Sequence, residues 1–211
     1  MNAPRFDGVL FDLLTALLDS WSLWNAVAGN EADGRRWRAE YLRITYATGA
    51  YHPYEALVAE AAEAMGLPRS LADDLGNRYA ELKPWPGVTR TLQSLAASGI
   101  PLGLVTNCSE RLGQIAASAV GVRFTVIVTA ERAGFYKPNP RPYRLGVEEL
   151  GIDSSRCLFV AGSPYDLIGT APLGLATYWH DRSGMALPDG ATAPLLRATT
   201  LDRLPKVVAG Q

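Results

Sequence analysis

The chain has 211 residues, 48% of them apolar, and its charges nearly cancel at a formal −1. That length holds one large domain, or a core carrying an insertion, with ample material for a buried interior. The charge balance excludes the basic excess of a nucleic-acid or membrane-surface protein, no apolar run nears the roughly 18 residues of a membrane span, and MNAPRFDG lacks a charged-then-apolar leader pattern.

The first element is the stretch GVLFDLLTALLDS, Gly8 to Ser20. Its apolar run ends on Asp12 and reads as a strand over Gly8–Asp12 covered on both faces. An acid at the carboxyl end of such a strand sits where open α/β sheets hold their ligands. Asp12 there fits a nucleophile that forms a covalent ester, and it equally fits a cap of the following turn. From Leu18 to Leu82 no strand pattern occurs, and helices are expected over Trp21–Ala28, Gly34–Thr48, Tyr54–Met65 and Arg69–Leu82. The second of these has Trp37, Tyr41, Ile44 and Tyr46 close to helical spacing. Lys83-Pro84-Trp85-Pro86-Gly87 breaks this pattern.

After the break, strands and helices alternate. Helices are expected over Val88–Ser98, Glu110–Ala119, Pro140–Leu150 and Asp166–Leu173, and strands over Pro101–Thr106, Phe124–Val128, Cys157–Ala161 and Ala176–Trp179. A last strand or helix is expected near Leu201–Val208. Such alternation predicts an α/β fold with a Rossmann-like parallel sheet, with helices on both faces. The expected division is a core of residues 1–17 and 84–211, with a small all-helical domain of residues 18–83 inserted after the first strand. Leu18–Ser20 and Lys83–Gly87 would be its hinges.

Four strand ends then carry polar groups. Asp12 is the candidate nucleophile. Thr106 and Asn107 offer a hydroxyl and an amide. Lys137, in GFYKPNPRPY, is a cation able to keep a nearby carboxylate ionised. Asp166 follows a Gly-Ser turn and can orient or deprotonate a hydrolytic water. Each residue alone has a plainer reading as a surface, turn or cap residue; their order along one sheet is what singles them out. His52 and His180 are the only histidines, and neither lies in a Ser-His-Asp pattern. Cys108 and Cys157 fit free core thiols rather than a disulfide scaffold or zinc site.

In FDLLTALLD, LVTN, FYKPNPRPY and FVAGSPYD, in that order, the chain resembles the haloacid dehalogenase superfamily, and most closely its 2-haloacid dehalogenase branch. The resemblance covers nearly the whole chain, and WRAEY resembles the cap helix that brings an arginine over the site. It implies that Asp12 is the nucleophile, paired with Lys137. Arg38 would bind the leaving halide or a substrate carboxylate, Asn107 would line the same pocket, and Thr106 would hold the carboxylate. Tyr143 would sit beside Lys137. Asp166 would position water, with Ser163 and Leu14 against the substrate.

Magnesium-dependent phosphatases of the superfamily carry an acid two residues after the nucleophile and open the fourth motif with another. Here those positions are Leu14 and Gly162. A halide leaving group needs no proton, so metal-free carbon–halogen hydrolysis with no cofactor is the expected reaction. A magnesium phosphatase using Asp12, the Leu14 carbonyl and Asp166 is the alternative, and a weakly catalytic ligand-binding protein is another. Ala16 and Ala161 stand where dehalogenases usually have hydroxyl residues, so the natural substrate is left open. The remaining expectations are a small-molecule substrate, no nucleic-acid or membrane partner, a cytoplasmic location, and a homodimer as a family-level possibility.

Overall fold

The computed structural model describes residues 5–211, so the first four residues of MNAPRFDG, and that part of the expected core, lie outside the described residues. Six strands form one parallel sheet: β1 Gly8–Phe11, β2 Leu102–Thr106, β3 Val126–Thr129, β4 Cys157–Ala161, β5 Ala176–His180 and β6 Leu196–Ala198. Their order is β3-β2-β1-β4-β5-β6. The chain runs outward from β1 through β2 to β3, then returns to place β4 on the other side of β1. Direction therefore reverses around β1, and the crevice at its carboxyl end is where such sheets bind ligands.

Burial on both faces explains the continuous apolar strands. Val9 and Phe11 join the apolar cluster that contains Leu92 and Leu95, Leu112 and Ala116, and Leu204 and Val208. These come from helices α5 Val88–Ala97, α6 Glu110–Ala119 and α10 Leu204–Ala209. Leu10, between them, faces the other way with Val105, Phe159, Tyr143 and Leu167. The last two lie on α8 Pro140–Leu150 and α9 Asp166–Thr170. Gly146 lets α8 lie against the sheet, since a Cβ there would come within 2.9 Å of Val105 and 3.1 Å of Leu10. The Asn139 side chain accepts from the Arg141 amide at the start of α8, Pro140 occupies its first turn, and Gly151 ends it at φ +71°.

Between β1 and α5 lie four helices: α1 Ser20–Val27, α2 Glu31–Thr48, α3 Tyr54–Ala64 and α4 Leu71–Asn77. Aromatic packing holds them together. Trp24 and Trp37 have ring centroids 4.4 Å apart, Trp37 donates to the Val58 carbonyl, and the Tyr54 and Tyr79 hydroxyls meet at 2.6 Å. The chain crosses between this layer and the sheet twice, side by side. Leu18 bridges Pro84, and the Asp19 amide donates to the Lys83 carbonyl at 2.8 Å.

The main differences from the expected elements are these. The helix expected over Asp166–Leu173 ends at Thr170 and gives way to a 3-10 turn over Ala171–Leu173. The helix expected over Arg69–Leu82 stops at Asn77, and a separate 3-10 turn spans Tyr79–Glu81, after the weak helix formers Gly76 and Asn77. The strand expected from Phe124 begins at Val126, because Phe124 and Thr125 still lead into the sheet. A one-turn helix, α7 Ala130–Ala133, follows β3, capped by the Thr129 hydroxyl. The terminal element is helix α10, and β6 precedes it; three residues are too few to give a periodic signal.

Candidate active site

The carboxyl ends of β1, β2 and β4 and the loop before α8 bring the strand-end residues together. Asp12 follows β1 directly. The chain then turns back on it: the Thr15 amide, the Thr15 hydroxyl and the Ala16 amide donate to Asp12 Oδ2 at 2.9, 2.5 and 3.0 Å. An Asp at a turn bonding backbone three residues on is ordinary local chemistry. Here the same bonds leave Oδ1 facing Lys137, whose Nζ donates to it at 2.7 Å. Lys137 Nζ also lies 3.0 Å from Asp166 Oδ1, which accepts from the Tyr143 hydroxyl at 2.7 Å. All four residues are buried.

Burial works against every charge in this cluster. For Asp12 it raises the carboxyl, but the Lys137 charge and the hydrogen bonds of Lys137 and Thr15 outweigh it and hold the group below its ordinary value. Asp166 goes the other way: burial and the Asp12 charge lift it, against the opposing pull of Lys137 and the Tyr143 hydroxyl. Burial disfavours the Lys137 ammonium, yet its two carboxylates raise it above the usual lysine value. Two acids pushed apart by their surroundings suit one to stay ionised and the other to exchange a proton. Asp166 Oδ2 is buried with no hydrogen-bond partner among the described residues.

Asn107 and Thr106 lie at the end of β2. Asn107 Oδ1 accepts from the Lys137 amide at 2.7 Å, and its Nδ2 donates to the Lys137 carbonyl at 3.1 Å. The amide side chain therefore fixes the backbone that presents the ammonium. Thr106 is fully buried with its hydroxyl 3.4 Å from Cys108 Sγ. Cys108 is itself buried, and burial pushes its thiol up to about 12, so it stays protonated at neutral pH.

The helical layer closes the site from above. Arg38, on α2, is 2% exposed and stacks 4.2 Å over the Trp21 ring. Its Nε and Nη1 have no hydrogen-bond partner among the described residues. Burial lowers its pKa, but a guanidinium keeps its charge, and a buried cation without a partner calls for an anion. Leu42 and Tyr46 follow Arg38 at successive intervals of four along α2 and line the same cavity. The Tyr41 hydroxyl donates to the Asn107 carbonyl at 3.0 Å, and Tyr46 is hydrogen-bonded to Ser163 at 2.8 Å. The loop after α2 is tied to the Lys137 loop by the Tyr51 amide on Gly134 and the Tyr136 amide on Gly49, both at 2.8 Å.

Arg38, Leu14, Asp12, Lys137, Thr106, Asn107, Ser163 and Asp166 all line one small cavity of about 30 Å³, room for little more than a water or two. Tyr143 stands behind it, against Asp166. Thr15, Tyr41 and Tyr46 had no expected role in the site, and Ala16 was expected only as a missing hydroxyl. The Asp-x-x-Thr turn and the four-residue spacing from Arg38 to Tyr46 were the available signals.

The residues do not fit magnesium. Lys137 Nζ lies between Asp12 and Asp166, where a bridging cation would have to sit. The Leu14 carbonyl already accepts the Ser20 hydroxyl. Gly162 has no room for the missing acid: a Cβ there would collide with the Ala16 amide and Thr15 Oγ1. Octahedral oxygen coordination needs more acid ligands than this lining offers, and among the described residues no group of three or more His, Cys, Asp or Glu is placed to hold a metal.

A parallel sheet with its switch point at β1, an aspartate clamped to a lysine at that point and a helical layer above define a hydrolase of the aspartate-nucleophile α/β class. The profile described as "Hydrolase: haloacid dehalogenase-like hydrolase" matches residues 6–174, and the chain belongs to that family. It is 30% identical over 203 residues to (S)-2-haloacid dehalogenase H-109 of Pseudomonas putida, covering 88% of this chain and 91% of the relative. It is 27% identical over 221 residues to haloacetate dehalogenase H-2 of Moraxella sp. (strain B), covering 97% and 99%. The solved L-2-haloacid dehalogenase of Xanthobacter autotrophicus with chloropropionic acid covalently bound shares the fold, with a TM-score of 0.85, 22% identity and coverage of 98% and 99%.

Proposed function

We propose that this chain hydrolyses the carbon–halogen bond of a short 2-haloacid through an ester of Asp12, without a metal or other cofactor. The observation that carries the reading is the Asp12–Lys137 pair facing the unpartnered Arg38 guanidinium across one small cavity. The substrate is doubly suited to it. One anion, the carboxylate or the departing halide, meets Arg38, while C2 meets Asp12 Oδ1.

Asp12 Oδ1 attacks C2, the C–O bond forms, and the C–halogen bond breaks with its electron pair on the halide. Attack from the opposite side inverts C2. The ester carbonyl oxygen is then Oδ2, already held by the Thr15 and Ala16 amides at 2.9 and 3.0 Å. That is the distance at which amide donors stabilise an oxyanion. Water attacks the Asp12 carboxyl carbon and yields one proton to Asp166. As the bond from that carbon to Oδ1 breaks, Asp166 returns the proton to Oδ1, which leaves as the hydroxyl of the 2-hydroxy acid; the water oxygen remains on Asp12, which loses its second proton to solvent and is ionised again. The burial that lifts Asp166 makes it the better base.

Residues 18–83 would act as a cap that opens for substrate, since a cavity of about 30 Å³ is too small to take a haloacid as it stands. The paired crossings at Leu18–Asp19 and Lys83–Pro84 are suited to be its hinge. No described helix is long and apolar enough to cross a membrane.

Halide release from (S)-2-chloropropionate by wild type and Asp12→Asn tests the reading. Wild type should turn over equally with and without chelator, and Asp12→Asn should not turn over. Loss of wild-type activity with chelator, with phosphate release from esters in magnesium, would overturn it.

A further inference from the structure

A second and larger cavity of about 290 Å³ adjoins the catalytic one. Its walls include Trp21, Ala39, Leu42 and Met185, together with the Arg35 and Arg43 side chains. Those two arginines are paired with Glu31 and Glu40 at 2.8 and 2.6 Å, which balances their charge, and Ser183, whose hydroxyl is buried without a partner among the described residues, adds one polar group to an otherwise largely apolar lining. Leu42 and Tyr46 line both cavities. Tyr46 crosses from α2 to the loop after β4. Its hydroxyl is bonded to Ser163 Oγ at 2.8 Å, on the catalytic side. Its ring stacks on Tyr165, centroids 4.3 Å apart and planes 26° apart, on the outer side. The phenol ring is thus the wall between the two spaces.

We propose that Tyr46 is the specificity-determining residue that limits the length of the acyl chain, and that the outer cavity is a latent site for an alkyl tail. This rests on the 2-haloacid reading above. With the ring in place the small inner space is cut off from the outer one, so an acyl chain has no room to extend beyond Leu42. With it removed the spaces merge, and the tail of a longer 2-haloacid runs along Leu42 toward Trp21 and Met185. The pocket chemistry fits this: apolar walls accept methylenes, each worth about fourfold in affinity when buried.

The test compares wild type, Tyr46→Ala and Tyr165→Leu, the last removing the other half of the stack should the first fail to fold. Calorimetry measures binding of propanoate and octanoate, which need no chemistry. Halide release gives kcat/KM for 2-bromopropanoate and 2-bromooctanoate. The expected result is a rise of about tenfold or more in the long-to-short ratio, in binding and in kcat/KM, for the variants over wild type. An unchanged ratio with halide still released overturns the partition and leaves the dehalogenase reading intact. An equal gain for both lengths also overturns it, making Tyr46 an access gate instead. A shifted binding ratio with no halide release in any protein supports the partition and overturns the dehalogenase reading. Failure of every protein to bind either carboxylate overturns both.

Discussion

Replacing Lys137 with Met tests the electrostatic design of the site most sharply. The ammonium lies 2.7 Å from Asp12 and 3.0 Å from Asp166. At an effective dielectric of about 20, each contact represents roughly 5–6 kcal/mol of direct attraction, much of it offset by desolvation. Removing one member of a buried ionic cluster typically costs about 3–5 kcal/mol, because the remaining charges stay buried without a partner. For a chain of this size that is a fall in Tm of about 6–20 °C. The loss should also depend on pH. Without the ammonium, Asp12 joins Asp166 in having a folded-state pKa above its unfolded value. The native state then binds more protons than the unfolded one, so stability is recovered as pH falls toward the unfolded value and lost as it rises. Thermal and urea unfolding at pH 5.5 and pH 7.5 measure this. The gap between Lys137→Met and wild type should narrow at the lower pH by about 1 kcal/mol or more. A gap of less than about 1 kcal/mol at pH 7.5 would refute the reasoning, as would one that stays constant with pH.

Three further outcomes follow from the same geometry. Arg38→Met should abolish halide release and yet leave the protein as stable or more stable, by about 1–2 kcal/mol, because an unpartnered buried charge is replaced by apolar bulk; bromide should raise the wild-type Tm and not that of the variant. The acid limb of single-turnover ester hydrolysis, the step in which Asp166 acts, should lie above the ordinary aspartate value, since burial lifts Asp166 while Lys137 holds Asp12 below it; Tyr143→Phe removes a donor to the ionised Asp166 and should move that limb up by about one pH unit. Gly162→Asp should not create magnesium-dependent phosphatase activity and should destabilise by about 3 kcal/mol or more, because Thr15 and Ala16 fill the space any side chain would need.

The sheet was legible because its strands are buried on both faces and leave continuous apolar runs, each followed by a polar strand end. Asp12 and Lys137 are 125 residues apart, yet parallel topology alone delivers both to one edge. Gly162 shows what sequence reading sees only in part. It registers there as an absent acid, whereas the packed structure shows that the nucleophile turn occupies the space. The Tyr46–Ser163 bond spans 117 residues, and which face of α2 meets the fourth motif depends on how the helical layer docks. No local spacing encodes that. The resemblance implies that Asn107 lines the halide pocket, and it does line the cavity; that its side-chain amide also holds the Lys137 backbone through both its oxygen and its nitrogen depends on a loop whose path the sequence does not show. β6 is three residues long with Arg197 exposed, too short for a pattern to register.

An ester mechanism requires that the oxygen delivered to product come first from Asp12. A single turnover with enzyme in excess over (S)-2-chloropropionate, run in heavy-oxygen water and followed by peptide mass spectrometry, decides this. The label should appear in the peptide containing Asp12, with unlabelled oxygen in the released 2-hydroxy acid. Label in the hydroxy acid and none in that peptide would mean water attacks C2 directly, and the ester mechanism would be wrong.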